Sequence, residues 1–197
     1  MIYLITNRHL VSEEKYFKTL QDASLAGVDR IILREKDLND EELERLYYKI
    51  KDLVSDNTEI IINSNMKVFK KVEEKTLHLP FKDFTVMDNT KEIDIGVSVH
   101  SVEEGIEASK RGCNYILVSH IFPTKCKEGL EPKGVEFIRE LKKVVTCPII
   151  ALGGISTENA SKVIEAGADG IALMSTFFYC EDVYDLVRNL KQHSIEF

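Results

Sequence analysis

The chain has 197 residues, of which 44% are hydrophobic and 30% are charged, which is typical of a globular domain and excludes a fibrous or disordered protein. The formal net charge of −7 disfavours nucleic acid as a partner, because that binding depends on clustered basic side chains. The four cysteines form no Cys-x-x-Cys, which disfavours a zinc ribbon or a disulfide framework. With neither a signal peptide nor an apolar run of about 18 residues, we expect a cytoplasmic protein with no membrane partner.

Eight short apolar segments are typical of parallel strands that are buried on both faces. In chain order they span residues 2–6, 31–34, 59–63, 76–79, 95–99, 115–119, 149–152 and 171–174. Amphipathic spacing predicts helices over residues 41–54, 66–72, 102–111, 135–145, 157–166 and 182–191, with a weak turn near 88–91.

Three turns repeat one pattern, in which a glycine ends a helix and an Asp or Asn two residues later precedes a strand. They are Gly27-Val28-Asp29, Gly112-Cys113-Asn114 and Gly167-Ala168-Asp169. The spacing of the glycines fits a repeat of about 23 residues, and eight such repeats fill nearly the whole chain. The pattern predicts an α/β protein with one compact (β/α)8 TIM barrel domain over residues 1–197. A doubly wound open sheet is the alternative, but no Gly-x-Gly-x-x-Gly follows the first strand.

Gly153 and Gly154 follow the seventh predicted strand, and Ser175 and Thr176 follow the eighth. Glycine lets backbone N–H groups approach an anion closely, and a helix N-terminus carries partial positive charge. Because the loops after strands seven and eight of such barrels often form one phosphate site, we predict phosphate binding here. A tight turn with ordinary helix caps is the alternative interpretation.

A second cationic segment, Arg34-Glu35-Lys36, follows the second predicted strand. Arg34 can bind a carboxylate or phosphate through two parallel hydrogen bonds, and Lys36 adds a point charge. We expect Glu35 to turn away and serve as an ion-pair partner. The alternative is a solvated charged loop. Asn63 and Ser98, near the ends of the third and fifth strands, are further candidate substrate ligands.

His120 follows the sixth strand and precedes a loop that contains Thr124 and Lys127. Imidazole exchanges a proton near neutral pH, so the pattern favours proton transfer on an anionic substrate. The alternative is a packed histidine that bonds a backbone carbonyl. Cys126 has no paired histidine, which disfavours a cysteine nucleophile. We assign His9, His78 and His193 to structure or solvent. For His100 both a place near the site and a structural role stay open.

Taken together, these motifs resemble the thiamine phosphate synthase superfamily over nearly the whole chain. The matching segments are YLITNR (3–8), LREK (33–36), IIN (61–63), LHL (77–79), GVSVHS (96–101), IFPT (121–124), ALGGI (151–155) and GIALMS (170–175). The resemblance implies a (β/α)8 barrel, in agreement with the count of strands.

Two branches of the superfamily are open. The synthase joins a pyrimidine diphosphate to a thiazole phosphate with Mg²⁺, and its usual pattern has Gln where this chain has Ile32 and Asp where it has Ser64. Asp83 remains from its pattern after strand four, and would serve the metal if the chain is a synthase. The loss of the other carboxylate weakens that interpretation, because Mg²⁺ sites depend on one or two carboxylates plus substrate phosphates.

The thiazole tautomerase, the TenI-type branch, carries its catalytic histidine where the synthase has Pro, and this chain has Ser119-His120 there. The resemblance therefore implies an isomerase without a cofactor, in which His120 shifts a proton to aromatise a carboxythiazole ethyl phosphate. The expected substrate ligands are Arg34, Lys36, Asn63, Ser98, Thr124, Lys127, Gly153, Gly154, Ser175 and Thr176. The alternatives are the synthase and a non-catalytic regulator that binds thiazole phosphate. A homo-oligomer is possible in each case.

Overall fold

The structure, a computed structural model, describes residues 1–87, 93–124 and 127–192. Lys125, Cys126, His193 and the turn predicted near 88–91 lie outside these residues. Eight strands form a closed barrel in chain order, which confirms the predicted (β/α)8 fold. The strands are β1 (Ile2–Ile5), β2 (Arg30–Leu33), β3 (Glu59–Asn63), β4 (Thr76–Pro80), β5 (Asp94–Val99), β6 (Tyr115–Ser119), β7 (Ile149–Leu152) and β8 (Gly170–Leu173).

Helices alternate with the strands throughout the described part of the chain. They are α1 (Glu13–Leu25), α2 (Asp40–Lys51), α3 (Met66–Val72), α4 (Phe81–Thr85), α5 (Val102–Lys110), α6 (Gly134–Lys142), α7 (Ala160–Glu165), α8 (Ser175–Tyr179) and α9 (Val183–Gln192). Within the described ranges, none of them is long and apolar enough to cross a membrane.

Helices α1, α4 and α8 are not among the predicted helices, and α7 begins later than predicted. Helix α1 begins after Ser12, whose side chain accepts a hydrogen bond from the Lys15 N–H and so caps the first turn. Helix α7 begins at Ala160 instead of residue 157, because the preceding residues form a turn. In that turn the Asn159 side chain accepts from the Ser156 N–H at 2.9 Å and donates to the Gly154 carbonyl at 2.9 Å.

The chain divides into two compact units, and the first comprises Met1–Leu77 together with the chain from Leu173 onward. Strands β1, β2 and β3 are parallel neighbours here, with Ile31 opposite Ile60 and Leu33 opposite Ile62. These apolar side chains are fully buried, as expected for continuous apolar runs covered on both faces. Outside the strands, the Tyr16 ring of α1 stacks on Phe178 of α8 at 5.6 Å.

The second unit is His78–Ala172, and strands β5 to β8 are parallel neighbours within it. Gly105, in the middle of α5, explains how closely helices α5 and α6 pack. A Cβ atom at this position would lie 2.4 Å from the end of the Leu141 side chain of α6, so a larger residue would require that side chain or the helix to shift.

The three repeated glycine turns have the predicted left-handed conformation, with φ values of 90° at Gly27, 85° at Gly112 and 104° at Gly167. In the first, the Gly27 N–H donates to Ser24 and the Val28 N–H donates to Ala23, both at 3.0 Å. This pair of bonds satisfies the last carbonyls of a helix, and the two other turns repeat it.

The Asp or Asn of each turn fastens the start of the preceding strand, and we call this arrangement the Asx latch. Asp29 accepts a hydrogen bond from the Ile2 N–H at 2.6 Å through its side chain and donates its own N–H to the Ile2 carbonyl at 3.0 Å. Asn114 makes the same two bonds to Ile95, and Asp169 makes them to Ile149. In each latch both the N–H and the carbonyl of the first or second residue of the strand are hydrogen-bonded.

Candidate functional site

The Arg34-Glu35-Lys36 segment of the first unit begins where β2 ends, and the Arg34 N–H donates to the Thr6 hydroxyl at 2.9 Å. The Glu35 side chain turns inward and is 2% exposed. Its carboxylate accepts hydrogen bonds from the Arg8 N–H at 3.0 Å and the Tyr16 hydroxyl at 3.1 Å, and pairs with the Arg8 guanidinium at 3.4 Å. Glu35 therefore forms an ion pair, as the sequence predicted, and its partner is Arg8.

Arg34 and Lys36 differ from Glu35 in their surroundings. Arg34 is half-buried and Lys36 is exposed. Across residues 1–87, 93–124 and 127–192, neither side chain forms an ion pair. Two cations without an internal counter-ion, held two residues apart beside a buried carboxylate, can bind an anionic ligand.

Arg8 links the loops after β1 and β2 through a second carboxylate, Asp37, at 2.6 Å. The hydrogen bond from Arg8 holds the pKa of Asp37 well below its usual range. His9 lies 3.2 Å from the same carboxylate. Burial, together with the charge of Glu35, raises the pKa of Tyr16, so its hydroxyl keeps the proton that it donates. These contacts fix the backbone that carries Arg34 and Lys36.

The other candidate residues of the first unit are Asn63, Ser175 and Thr176. The Asn63 amide donates to the hydroxyl of Ser64 at 3.0 Å, and Ser64 has a φ of 60°. Ser175 and Thr176 form the half-buried start of α8, whose N-cap residue Met174 makes no side-chain capping bond. Their role in binding phosphate stays a prediction.

A surface cavity of about 460 Å³ in the first unit does not coincide with the predicted ligands. It lies beside the amino-terminal parts of α1 and α2, and no candidate residue from the sequence analysis lines it. Its walls include Arg8, His9, Tyr16, Phe17, Leu38, Arg45 and Leu46.

In the second unit, Ser98 takes part in a chain of three polar side chains that the sequence analysis did not predict. The His78 ring is buried and lies 2.8 Å from the Ser98 hydroxyl through Nε2 and 2.9 Å from the Tyr115 hydroxyl through Nδ1. Gly96 pairs with Tyr115 across β5 and β6, and a Cβ there would lie 2.0 Å from the tyrosine ring. A glycine paired with a buried tyrosine is the sequence signal that could have predicted these hydrogen bonds between Ser98, His78 and Tyr115.

His120 is buried, with 6% exposure. Its Nε2 lies 3.3 Å from the Leu130 carbonyl, and its own carbonyl accepts from the Lys133 N–H at 2.9 Å. This is the arrangement that the sequence analysis gave as its alternative, a packed histidine bonded to the backbone. Thr124 is half-buried and Lys127 is exposed, and the Lys127 N–H donates to the Thr124 carbonyl at 3.0 Å.

Gly153 and Gly154 both have positive φ values, 100° and 66°. They lie against the segment that follows β6: a Cβ at Gly153 would be 2.4 Å from the Cβ of His120, and one at Gly154 would be 2.5 Å from the Pro123 carbonyl. Glycine is therefore required here for packing as well as for the turn. Among the described residues neither glycine N–H donates a hydrogen bond, so both remain able to bind an anion.

The described residues do not fit a metal site built by the protein alone. Among them, no group of three or more His, Cys, Asp or Glu side chains is arranged to hold an ion. Asp83 is an exposed carboxylate in the first turn of α4, and Ser64 occupies the position where the synthase pattern has a second one. One carboxylate would leave the remaining Mg²⁺ ligands to substrate phosphates and water.

The chain is similar to known proteins along nearly all of its length. The family model described as thiamine monophosphate synthase matches residues 2–177. The thiamine-phosphate synthase of Clostridium tetani is 33% identical over 92% of this chain and 90% of its own, and that of Pyrococcus abyssi is 31% identical over 97% and 93%. A solved thiamine phosphate pyrophosphorylase from Pyrococcus furiosus has a TM-score of 0.82 and 27% identity, covering 98% of this chain and 94% of that one.

These relatives overturn the expectation of a thiazole tautomerase. That expectation depended on the Ser119-His120 pair, whereas the names of the relatives agree with the synthase alternative. The proton-shift role given to His120 falls with it, in keeping with a ring that is buried and bonded to the Leu130 carbonyl.

Proposed function

The chain belongs to the thiamine monophosphate synthase family, and from this premise we propose that it is a thiamine-phosphate synthase. Such an enzyme is a transferase that joins a pyrimidine diphosphate to a thiazole phosphate. The observation that carries the proposal is the 33% identity, over 92% of the chain, to a protein of that name.

In this reaction the bond between the pyrimidine methylene carbon and the diphosphate oxygen breaks, and the thiazole nitrogen forms the new bond to that carbon. The departing diphosphate gains negative charge as the bond lengthens. Arg34 and Lys36 are suited to hold it, because their charges are not neutralised by other described side chains. Fixed cations stabilise developing charge more than mobile water does.

The phosphate of the thiazole substrate is assigned to the backbone of Gly153 and Gly154. The support for this assignment is that both N–H groups are free of partners among the described residues and that no Cβ blocks their approach. Ser98 adds a hydroxyl whose orientation is set by the buried His78 ring. Mg²⁺, when bound, would neutralise part of the charge on the diphosphate, and Asp83 is the carboxylate of the synthase pattern that would help to hold it.

The test is to incubate the purified protein with the pyrimidine diphosphate, thiazole phosphate and Mg²⁺ and to measure thiamine phosphate and released diphosphate together. The two products are expected in equal amounts, with neither formed when the thiazole phosphate is omitted. Tight binding of thiazole phosphate without any turnover would contradict the proposal and favour the regulator.

A further inference from the structure

Two cysteines that are distant in sequence come together in the second unit. The Sγ atoms of Cys113 and Cys147 are 3.6 Å apart, and the two residues are separated by 34 positions in the chain. Both are free thiols. Cys113 precedes the Asx latch at Asn114, and Cys147 precedes Pro148, so the pair lies at the amino ends of β6 and β7. With 34 positions between them and no Cys-x-x-Cys motif, nothing in the sequence pattern predicts that these two cysteines are close.

The two thiols are not equivalent. Cys113 is buried, with 6% exposure, whereas Cys147 is half-buried and is the more exposed of the two. The Cys113 thiol donates a hydrogen bond to the Cys147 sulfur, which lowers the pKa of Cys147 to about 7. The same hydrogen bond raises the pKa of Cys113.

The remaining groups around Cys147 have smaller effects on its pKa. The hydroxyl of Ser109 favours the thiolate by hydrogen bonding, while the carboxylate of Asp169 opposes it. That carboxylate forms an ion pair with Lys142 at 2.8 Å, so part of its charge is compensated. Cys180 offers a contrast, because its thiol donates to the Phe177 carbonyl and burial raises its pKa.

We propose that Cys113 and Cys147 form a modification site, at which low-molecular-weight disulfides such as glutathione disulfide convert the pair to an intramolecular disulfide. The Cys147 thiolate attacks one sulfur of the reagent, whose S–S bond breaks and releases one thiol. Cys113 then loses its proton and attacks the Cys147 sulfur of the mixed disulfide, which releases the second thiol. Two protein thiols are oxidised and one reagent disulfide is reduced to two thiols.

The new bond would close a covalent loop around β6, α6 and the segment between them. The sulfurs have to approach from 3.6 Å to about 2.05 Å. Because such a bond restricts the unfolded chain, the thermal midpoint of unfolding should rise by about 5–10 °C. This inference does not depend on the proposed synthase activity.

The experiment treats the full-length protein with glutathione disulfide, blocks the remaining thiols and digests it with trypsin. The expected product is one cross-linked species of residues 112–125 and 144–162, each of which contains a single cysteine. Cys113→Ser should instead accumulate a glutathione adduct at Cys147, because the resolving thiol is absent. Cys147→Ser should leave Cys113 unmodified, and Cys180→Ser should form the cross-link as the wild type does.

Three results would overturn the proposal. They are an absence of the cross-linked species, equal modification of the two single variants, and a cross-link that involves another cysteine. Circular dichroism of each variant shows whether it is folded. The wild-type result decides the question without the variants.

Discussion

Where β1, β5 and β7 begin, the chain uses one arrangement three times, whereas the segments after β2 and β7 are held by different contacts. Asp29, Asn114 and Asp169 make the same pair of hydrogen bonds to the first residues of a strand. After β2 the segment is held by the buried Glu35, and after β7 by glycines packed on the chain near His120.

The difference separates residues that support the fold from residues that are free to bind a ligand. In each Asx latch one side-chain oxygen and the backbone N–H of the Asp or Asn both bond to the preceding strand, so these groups are not available to a substrate. After the strands, by contrast, cations such as Arg34 and N–H groups such as that of Gly154 have no partner among the described residues. Changes at the two ends of the strands should therefore differ in whether they affect activity or stability.

The largest effect is expected for Arg34→Gln, which removes a cation proposed to hold the diphosphate. Synthase activity, as kcat/KM, should fall by about 10²–10³-fold with little change in the free energy of unfolding. Arg139→Gln is the control, because Arg139 is exposed and pairs with Glu136 on the same helix. Equal activity in both variants would remove Arg34 from the site.

Gly153→Ala should reduce the free energy of unfolding by about 2–4 kcal/mol, because the added methyl group meets a positive φ and the Cβ of His120 at 2.4 Å. Gly129→Ala is the matched control, since Gly129 has a φ of 81° but nothing within 4 Å of a new Cβ. It should lose about 1 kcal/mol in urea unfolding. Similar losses in the two variants would show that packing on His120 contributes nothing.

Tyr16→Phe tests whether the hydrogen bonds to the buried Glu35 carboxylate stabilise the segment that follows β2. The buried carboxylate loses its hydroxyl donor, so the free energy of unfolding should fall by about 2 kcal/mol. Tyr179→Phe, at a tyrosine with 61% exposure, should have an effect within about 0.5 kcal/mol in the same measurement. A smaller loss at Tyr16 than at Tyr179 would contradict the role given to Glu35.

The Asx latch offers its own control, because the chain uses Asn at one of its three positions. Asp29→Asn should be nearly neutral in chemical unfolding, while Asp29→Ala should lose about 1–2 kcal/mol by leaving the Ile2 N–H without its acceptor. Synthase activity per folded molecule should stay unchanged in both. If either variant lost activity without losing stability, the latch would not be purely structural. The contrast between the two ends of the strands would then be wrong.

The smallest effect concerns the pH dependence of stability at Asp37. Its pKa is lowered from 3.8 by the hydrogen bond from Arg8, so the carboxylate stabilises the fold above pH 3.8 and loses that contribution as the pH falls through the lower folded value. Unfolding curves of Asp37→Asn should show a weaker decline with acid than the wild type. If the stability of the variant and that of the wild type fell equally with acid, the contact between Arg8 and Asp37 would not contribute to the pH dependence of stability.

Local patterns in the sequence were enough to predict the barrel and its three glycine turns, whereas the latch bonds of Asp29, Asn114 and Asp169 were seen only in the structure. Apolar runs of four to six residues form buried strands, because a strand of a parallel sheet is covered on both faces and so requires apolar side chains at consecutive positions. Gly27, Gly112 and Gly167 end helices because a positive φ is a property of single positions. The choice between two branches of one family was wrong, because it depended on Ser119-His120, where a packed histidine serves equally well.

The sequence by itself determined the order of the eight strands and the segments in which polar residues gather, since both follow from periodicity and from glycine chemistry. Tertiary structure decided which of those residues are engaged. Glu35 meets Arg8 across 27 positions, His78 meets Tyr115 across 37, and Cys113 meets Cys147 across 34. Such pairs depend on how the backbone brings distant turns together, and no local pattern encodes that.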